Sequence, residues 1–242
     1  MMLFNVNKCK VMHIGKSKET SCMTLSVDSE RSHLVETQLE KDLGIWFSSD
    51  LKPSVHVAKA VSKANQILGL IRRTVTYMDI PLMKQLFISL VRPQLEYGNV
   101  IWHPTLRKDK DMIEAVQRRA TKMIPGLAKL SYEERLRRMD LPSLEYRRIR
   151  GDAIETFKYL HGKYSVNTVT LLLRHEPKGM TTRGHSLKLQ KRECHSNIRQ
   201  NFFSFRVDNM WNSQPEEIVM ADSVNCFKGR FDRWNIGIKY QL

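Results

Sequence analysis

Two kinds of hydrophobic spacing follow one another along this chain. Over residues 1–50 the apolar positions come in short β-favouring runs, Val11–Ile14, Met23–Val27, Leu34–Leu39 and Leu43–Phe47, separated by Gly, Ser, Asp and Lys. That pattern predicts a small antiparallel sheet with tight connections, its first run reading like an internal strand. From residue 54 the period changes. Val57, Val61, Ala64, Leu68, Ile71 and Val75 recur at gaps of four and three, which stacks them on one stripe of a helix and leaves Lys59, Lys63 and Arg73 outside it. Asp79 offers a cap and Pro81 an early helical position for a second helix, predicted to face inward through Leu82, Leu86 and Leu90 and to kink or break near Pro93.

The same reading continues downstream. Ile113, Val116, Ala120 and Ile124 share one helical face, with Arg118 and Lys122 on the other side, and Pro125 and Gly126 stop the run. Ser131 to Glu134 has the spacing of a capping box. Ser143 can cap a longer helix whose Tyr146, Ile149, Ala153, Phe157 and Leu160 face inward, ending at Gly162. Residues 174–197 are polar, basic and glycine-containing and read as an extended segment. Ile198, Phe202, Phe205 and Asn209 then share a face, with Phe203, Val207 and Trp211 beside it, and a last helix over Asp222–Trp234 carries Val224, Phe227, Phe231 and Trp234. The predicted fold is α+β and mostly α: a sheet over 1–50, a helical bundle over 51–164, and a basic loop with a helical extension over 165–242.

Charge changes the picture. The net charge is +15, yet residues 1–50 carry 6 basic and 7 acidic side chains, residues 51–200 carry 29 and 13, and residues 201–242 carry 5 and 5. The whole excess lies in the middle, a field that favours a polyanion through release of its counterions. Arg72, Arg73, Arg118, Arg119, Lys122, Arg147, Arg148 and Arg150 are the candidates for phosphate contact, with Lys59 and Lys63, and a merely solvated basic face is the alternative. No apolar run approaches the length of a membrane span, so a membrane partner is not expected. Cys9, Cys22, Cys194 and Cys226 lie far apart without a C-x-x-C pair, which points to reduced thiols and an intracellular setting, nuclear or cytoplasmic.

Candidate chemistry is sparse. Asp42 and Asp50 stand eight apart beside turn residues and read as structural, and His175, His185, Cys194 and His195 lack the spacing of a compact zinc set and read as solvated loop residues. No nucleophile elbow, phosphate loop or dinucleotide fingerprint occurs, and no small-molecule substrate is evident. Trp46, Tyr77, Tyr97 and Trp102 could stack on bases or belong to a core.

Several blocks are nonetheless specific. "SKANQILGLIRRTV" at 62–75, "LFISLVRPQLEYGNVIWHP" at 86–104, "VQRRATKMIPGL" at 116–127 and "RGHSLKL" at 183–189 occur in the order found in LINE-type retrotransposons. The chain resembles the C-terminal part of their reverse transcriptases, in the manner of the jockey and chicken-repeat groups, along nearly its whole length. "FNVNKCKVMHIG" is similar to the palm motif that follows the catalytic aspartates, with Lys8 at that motif's lysine, and "LEKDLGIWFSSDL" is similar to the hairpin that grips the primer end, with Leu43 and Gly44 at its Leu-Gly. The family usually places an aromatic before that pair, and here Asp42 stands there.

The resemblance implies a palm remnant, a thumb-like bundle beside a nucleic-acid duplex or RNA–DNA hybrid, and a C-terminal extension. The family polymerises with two Mg²⁺ ions held by carboxylates of an aromatic-x-Asp-Asp turn. No such turn occurs in these 242 residues, so no catalytic residue, metal or cofactor is assigned, and the stretch is expected to begin after it and to be inactive alone. An interaction or scaffold protein derived from the element, and a product without function, remain open readings at this stage.

Overall fold

The computed structural model describes residues 5, 8–15, 24–27, 30–164, 172 and 184–241. It is mostly helical, with small two-stranded sheets at the N-terminal end. Among the described residues the strands form three separate pairs rather than one antiparallel sheet. β1 (Lys10–Val11) pairs parallel with β4 (Val35–Glu36), β2 (Thr24–Val27) pairs antiparallel with β3 (Glu30–His33), and β5 (Leu39–Asp42) pairs antiparallel with β6 (Ile45–Ser48). The run predicted over 34–39 divides because Thr37 Oγ1 accepts from the Leu39 amide at 3.3 Å, a local bond that turns the chain between β4 and β5. Leu43 and Gly44 are the turn of the β5–β6 hairpin instead of strand residues, both with positive φ, 45° and 89°. The first predicted strand is shorter than its run, and Ile14 at its end is exposed.

Helix α1 (Ser54–Thr74) buries Val57, Ala64, Leu68 and Ile71, with Val61 and Val75 partly buried, so its predicted stripe is the inward one. Asp79 caps α2 (Ile80–Leu86) by accepting from the Leu82 amide at 2.8 Å. The chain does not break at Pro93. A π-helical turn, Phe87–Val91, joins α2 to α3 (Arg92–Glu96), and this wider turn makes room for a ring that a straight α-helix would drive against the Ser89 carbonyl. The buried face here is Met83, Phe87, Val91 and Leu95. Leu82 and Leu86 are half-buried and Leu90 is exposed, which corrects the predicted stripe by one position.

After a short α4 (Asn99–Trp102), α5 (Arg107–Lys122) buries Ile113, Val116 and Ala120 as predicted, and Ile124 follows them into the core. Ser131 caps α6 (Tyr132–Met139) by accepting from the Glu134 amide, and Ser143 caps α7 (Leu144–Leu160) by accepting from the Tyr146 amide at 3.2 Å. The C-terminal helices are α8 (Asn197–Gln200), α9 (Phe203–Asn212), α10 (Glu216–Val219) and α11 (Val224–Trp234). On α9 the inward residues are Val207 and Trp211, with Phe203 packed against them. Ile198 and Phe202, on the neighbouring face, stand exposed, so of the aromatic residues read as core over 202–211 Phe202 is the exception.

Apolar burial divides into two clusters that meet along α7. The first gathers Val57, Phe87, Leu95, Ile113 and Leu136 and reaches Leu144; the second begins at Tyr146 and gathers Phe157, Trp211, Phe227 and Phe231. Of the extended segment predicted over 174–197, residues 174–183 lie outside the described residues, and residues 184–196 run without a helix up to the start of α8.

Candidate nucleic-acid interface

α1 and α5 run side by side in the same direction, pinned at two levels. Ser54 Oγ donates to Asp109 at 2.6 Å near their starts, and Arg119 donates to Asn65 Oδ1 at 2.5 Å further along. Because their apolar stripes face inward, their outer stripes present Lys59, Lys63, Arg72 and Arg73 from α1 and Arg119 and Lys122 from α5, all exposed, with Arg118 half-buried. None of these seven forms an ion pair among the described residues.

The cations of α7 have the opposite setting. Arg147 pairs twice with the Glu96 carboxylate, the outer bond Nη2 to Oε2 being 2.8 Å, and Arg150 pairs twice with Asp232 at 2.6 and 2.9 Å. Arg148 is only 2% exposed, in the field of Glu114, Glu145, Glu96 and Asp152. Arg150, committed to Asp232 of α11, therefore leaves the set of predicted phosphate contacts, and so do Arg147 and Arg148. The α7 sequence places them on the side packed against α3, α4 and α5, where burial demands a counter-charge.

A basic concavity of about 540 Å³ lies between α5 and α6. Arg118, Arg119 and Lys122 line one wall, and Tyr132 and Arg135 line the other. The Arg118 and Arg135 guanidiniums lie 5.1 and 5.4 Å from the Tyr132 ring centre. The phenol is fixed as a donor: it gives its proton to Glu114 Oε1 at 2.6 Å, and burial with that nearby carboxylate pushes its pKa well above the usual range. Glu114 also accepts from the Leu144 amide at 3.1 Å, and burial pushes its carboxyl up. Arg135, which sequence reading missed, is 3% exposed and held by Thr121 Oγ1 at 3.0 Å and the Leu130 carbonyl at 2.6 Å. Its signal was an arginine inside the stripe Tyr132, Leu136, Met139, where an apolar residue is expected.

The hairpin predicted to resemble a primer grip is braced from below. Tyr97 Oη donates to the Leu43 carbonyl at 2.9 Å, and a Cβ on Gly44 would sit 3.0 Å from the Tyr97 ring. The Trp46 amide donates to His56 Nδ1 at 3.2 Å, and burial lowers the pKa of that imidazole. Leu43 projects at 83% exposure, and Lys59 lies 5.5 Å from the Trp46 ring centre, so α1 and the hairpin share an outer surface. Tyr97 is exposed and committed to the hairpin, Tyr77 is exposed, and Trp102 is buried and belongs to the core. Beside the hairpin an apolar cleft of about 350 Å³ runs past Phe47, Ile101, Leu106 and Phe202.

Lys8 is exposed just before β1. Asp42 ends β5, and Asp50 accepts from Ser48 Oγ at 2.6 Å and the Lys52 amide at 3.1 Å, a turn role. His185, predicted as a solvated loop residue, is buried, its Nε2 lying 3.2 Å from the Trp211 carbonyl. Cys9, Cys194 and Cys226 are free thiols, while Cys22 and His175 lie outside the described residues. Among the described residues no three His, Cys, Asp or Glu side chains gather to hold a metal, and no helix is long and apolar enough to cross a membrane.

No protein-family model matches the chain, and comparison with curated proteins and with solved structures returns no match.

Proposed function

We propose that this chain binds nucleic-acid backbones without reading their sequence, through the outer surface of α1 and α5, as the thumb of a LINE-type reverse transcriptase lies beside its duplex. The observation that carries this reading is the segregation of charge. Cations on α7 are neutralised by Glu96 and Asp232, whereas seven on α1 and α5 have no carboxylate partner among the described residues. Six exposed cations and the half-buried Arg118 on adjacent parallel helices give a surface that a rod of phosphates neutralises, each contact releasing counterions. The braced hairpin, with Leu43 projecting and Gly44 held against Tyr97, supports the primer-grip likeness of "LEKDLGIWFSSDL". The family likeness itself rests on the quoted motifs.

Polymerisation is not part of this proposal for the 242 residues, which contain no adjacent pair of aspartates to hold the metal ions. The test is binding of a labelled duplex and an RNA–DNA hybrid across a salt series. Log affinity should fall linearly with log salt, with a slope of about −0.9 per phosphate neutralised on duplex DNA, and be insensitive to base sequence. A flat salt dependence, or stronger binding to an acidic protein than to either duplex, overturns the reading.

A further inference from the structure

The concavity between α5 and α6 differs from the rest of the basic surface because its charges converge. Ala115, Arg118, Arg119 and Lys122 fall at helical spacings of three, four and seven, so one stripe of α5 supplies three cations and, at Ala115, a gap beside them. Arg135 adds a fourth from α6, 97% buried since it is 3% exposed, and already anchored through Nε and one Nη. Arg118 and Arg135 press on the same Tyr132 ring, and burial, with the neighbouring Arg118 charge after it, lowers the Arg135 pKa. The Arg118 side chain donates no hydrogen bond among the described residues, and its Nε–H is buried without an acceptor.

Nothing in the pocket wall answers that charge. The nearby carboxylate, Glu114, sits behind the tyrosine, occupied by the Tyr132 hydroxyl and the Leu144 amide. Glu114 therefore acts on Arg118 through space and makes no direct bond to it. Four cations around one hollow, three of them guanidiniums whose planar forks match phosphate oxygens, call for more than one negative charge. An internal phosphodiester brings one. A phosphomonoester brings roughly −1.5 to −2 at neutral pH and three acceptor oxygens.

We propose that this pocket seats a phosphomonoester dianion, and that in backbone binding this is the phosphorylated end of a nucleic-acid strand. The second clause rests on the function proposed above; the first does not. The passing backbone lies on the exposed face of α1 and α5, while a strand end turns into the hollow, where Arg118, Arg119 and Lys122 meet it and Arg135 sets the charge of the far wall.

The experiment compares the same short labelled strand, single and in a duplex, ending in either a phosphate or a hydroxyl, against the wild-type chain and the Arg118→Gln/Lys122→Gln variant. The phosphorylated end should bind about tenfold tighter to the wild type, the gain of one well-made charge-assisted contact set. The double variant should lose that preference while keeping weaker, salt-dependent binding. Lys122→Gln alone, at an exposed position, should lose part of it, which covers the case in which the double variant fails to fold. Inorganic phosphate, used as a probe at matched ionic strength, should raise the melting temperature of the wild type and raise that of Lys122→Gln by less. Equal affinity for both ends with a steep salt slope overturns the pocket and leaves backbone binding standing. Protection by inorganic phosphate without binding of either strand overturns backbone binding and leaves the pocket. A preference that survives in a folded double variant overturns the assignment to these residues.

Discussion

Arg147 lies in a half-buried bidentate pair with Glu96, whereas Lys122 is exposed on α5 with no carboxylate partner among the described residues, so the same formal charge is spent on different things. Removing Arg147 leaves the Glu96 carboxylate partly desolvated, with Arg92 at 3.8 Å and the buried Arg148 acting on it through space. Arg147→Ala should therefore cost about 2 kcal/mol in urea unfolding and leave the salt slope of nucleic-acid binding unchanged. Lys122→Ala should change stability by less than about 0.5 kcal/mol and make the slope shallower by about 1. The reverse pattern would place the binding surface on α7. His103 gives a second prediction at this scale. Its Nδ1 is 3.6 Å from Asp152, beyond hydrogen-bond reach, and Arg206 already holds that carboxylate through two bonds of 2.8 and 2.9 Å. Burial, then the charges of Arg206, Arg148 and Lys110, push the imidazole from 6.5 down to about 3. A depressed folded pKa means stability fully present above 6.5 and lost progressively as pH falls toward about 3, on the order of 2 to 4 kcal/mol. His103→Gln should flatten the acid limb of a stability–pH curve over that window; an unchanged limb would show that the imidazole is charged in the fold.

The β5–β6 hairpin shows how an element is fixed from outside itself. Ile45 is 3% exposed and rests on Gly98, the residue just before α4, whose φ is +64°. A Cβ there would come within 2.7 Å of Ile45 Cδ1. Gly98→Ala should cost about 2 kcal/mol, combining backbone strain with displacement of Ile45. It should also raise amide exchange in β5 and β6 more than in α1. Equal change in both would mean that the hairpin is not seated through this contact. The helices were legible in the sequence because caps and stripes agreed, as at Asp79, Ser131 and Ser143. Faces were not legible where two apolar stripes lie one residue apart. Around α2 both Leu82/Leu86/Leu90 and Met83/Phe87/Val91 have helical spacing, and packing of the π turn and α3 on α1 selects the second. On α9 the buried pair is Val207 and Trp211 because Trp211 Nε1 donates to the Leu187 carbonyl at 2.8 Å, a partner from a distant loop. The basic surface was legible only in part: periodicity places Lys59 and Lys122 outward, but only tertiary structure shows which of Arg147, Arg148 and Arg135 face solvent, an acid or a pocket.

Over the whole molecule, the two apolar clusters are cut from one helix. Leu144 belongs to the first cluster and Phe157 to the second, both on α7, which cannot fray at one end without exposing the other cluster's side chains. Polar contacts cross the same boundary. Arg206 on α9 donates to the Val100 carbonyl at 2.8 Å as well as to Asp152, the Ser143 amide donates to the Lys239 carbonyl at 3.0 Å, and Tyr240 Oη donates to Asp140 at 2.9 Å. The C-terminal residues thus return to pack on the first cluster, and folding of either cluster presupposes the other. Phe227 is fully buried and stacks on Phe157 with ring centres 4.6 Å apart, in the second cluster only. Phe227→Ala removes about 3 to 5 kcal/mol of packing there. If the clusters unfold as one unit, the protected amides of α1, in the first cluster, should lose the same free energy of protection as those of α7, and thermal unfolding should remain a single transition at a lower midpoint. Retained protection in α1 would show that the clusters unfold separately. The basic surface would then be carried by a body that stands without α9 to α11, and backbone binding would survive the substitution at temperatures where the second cluster has melted.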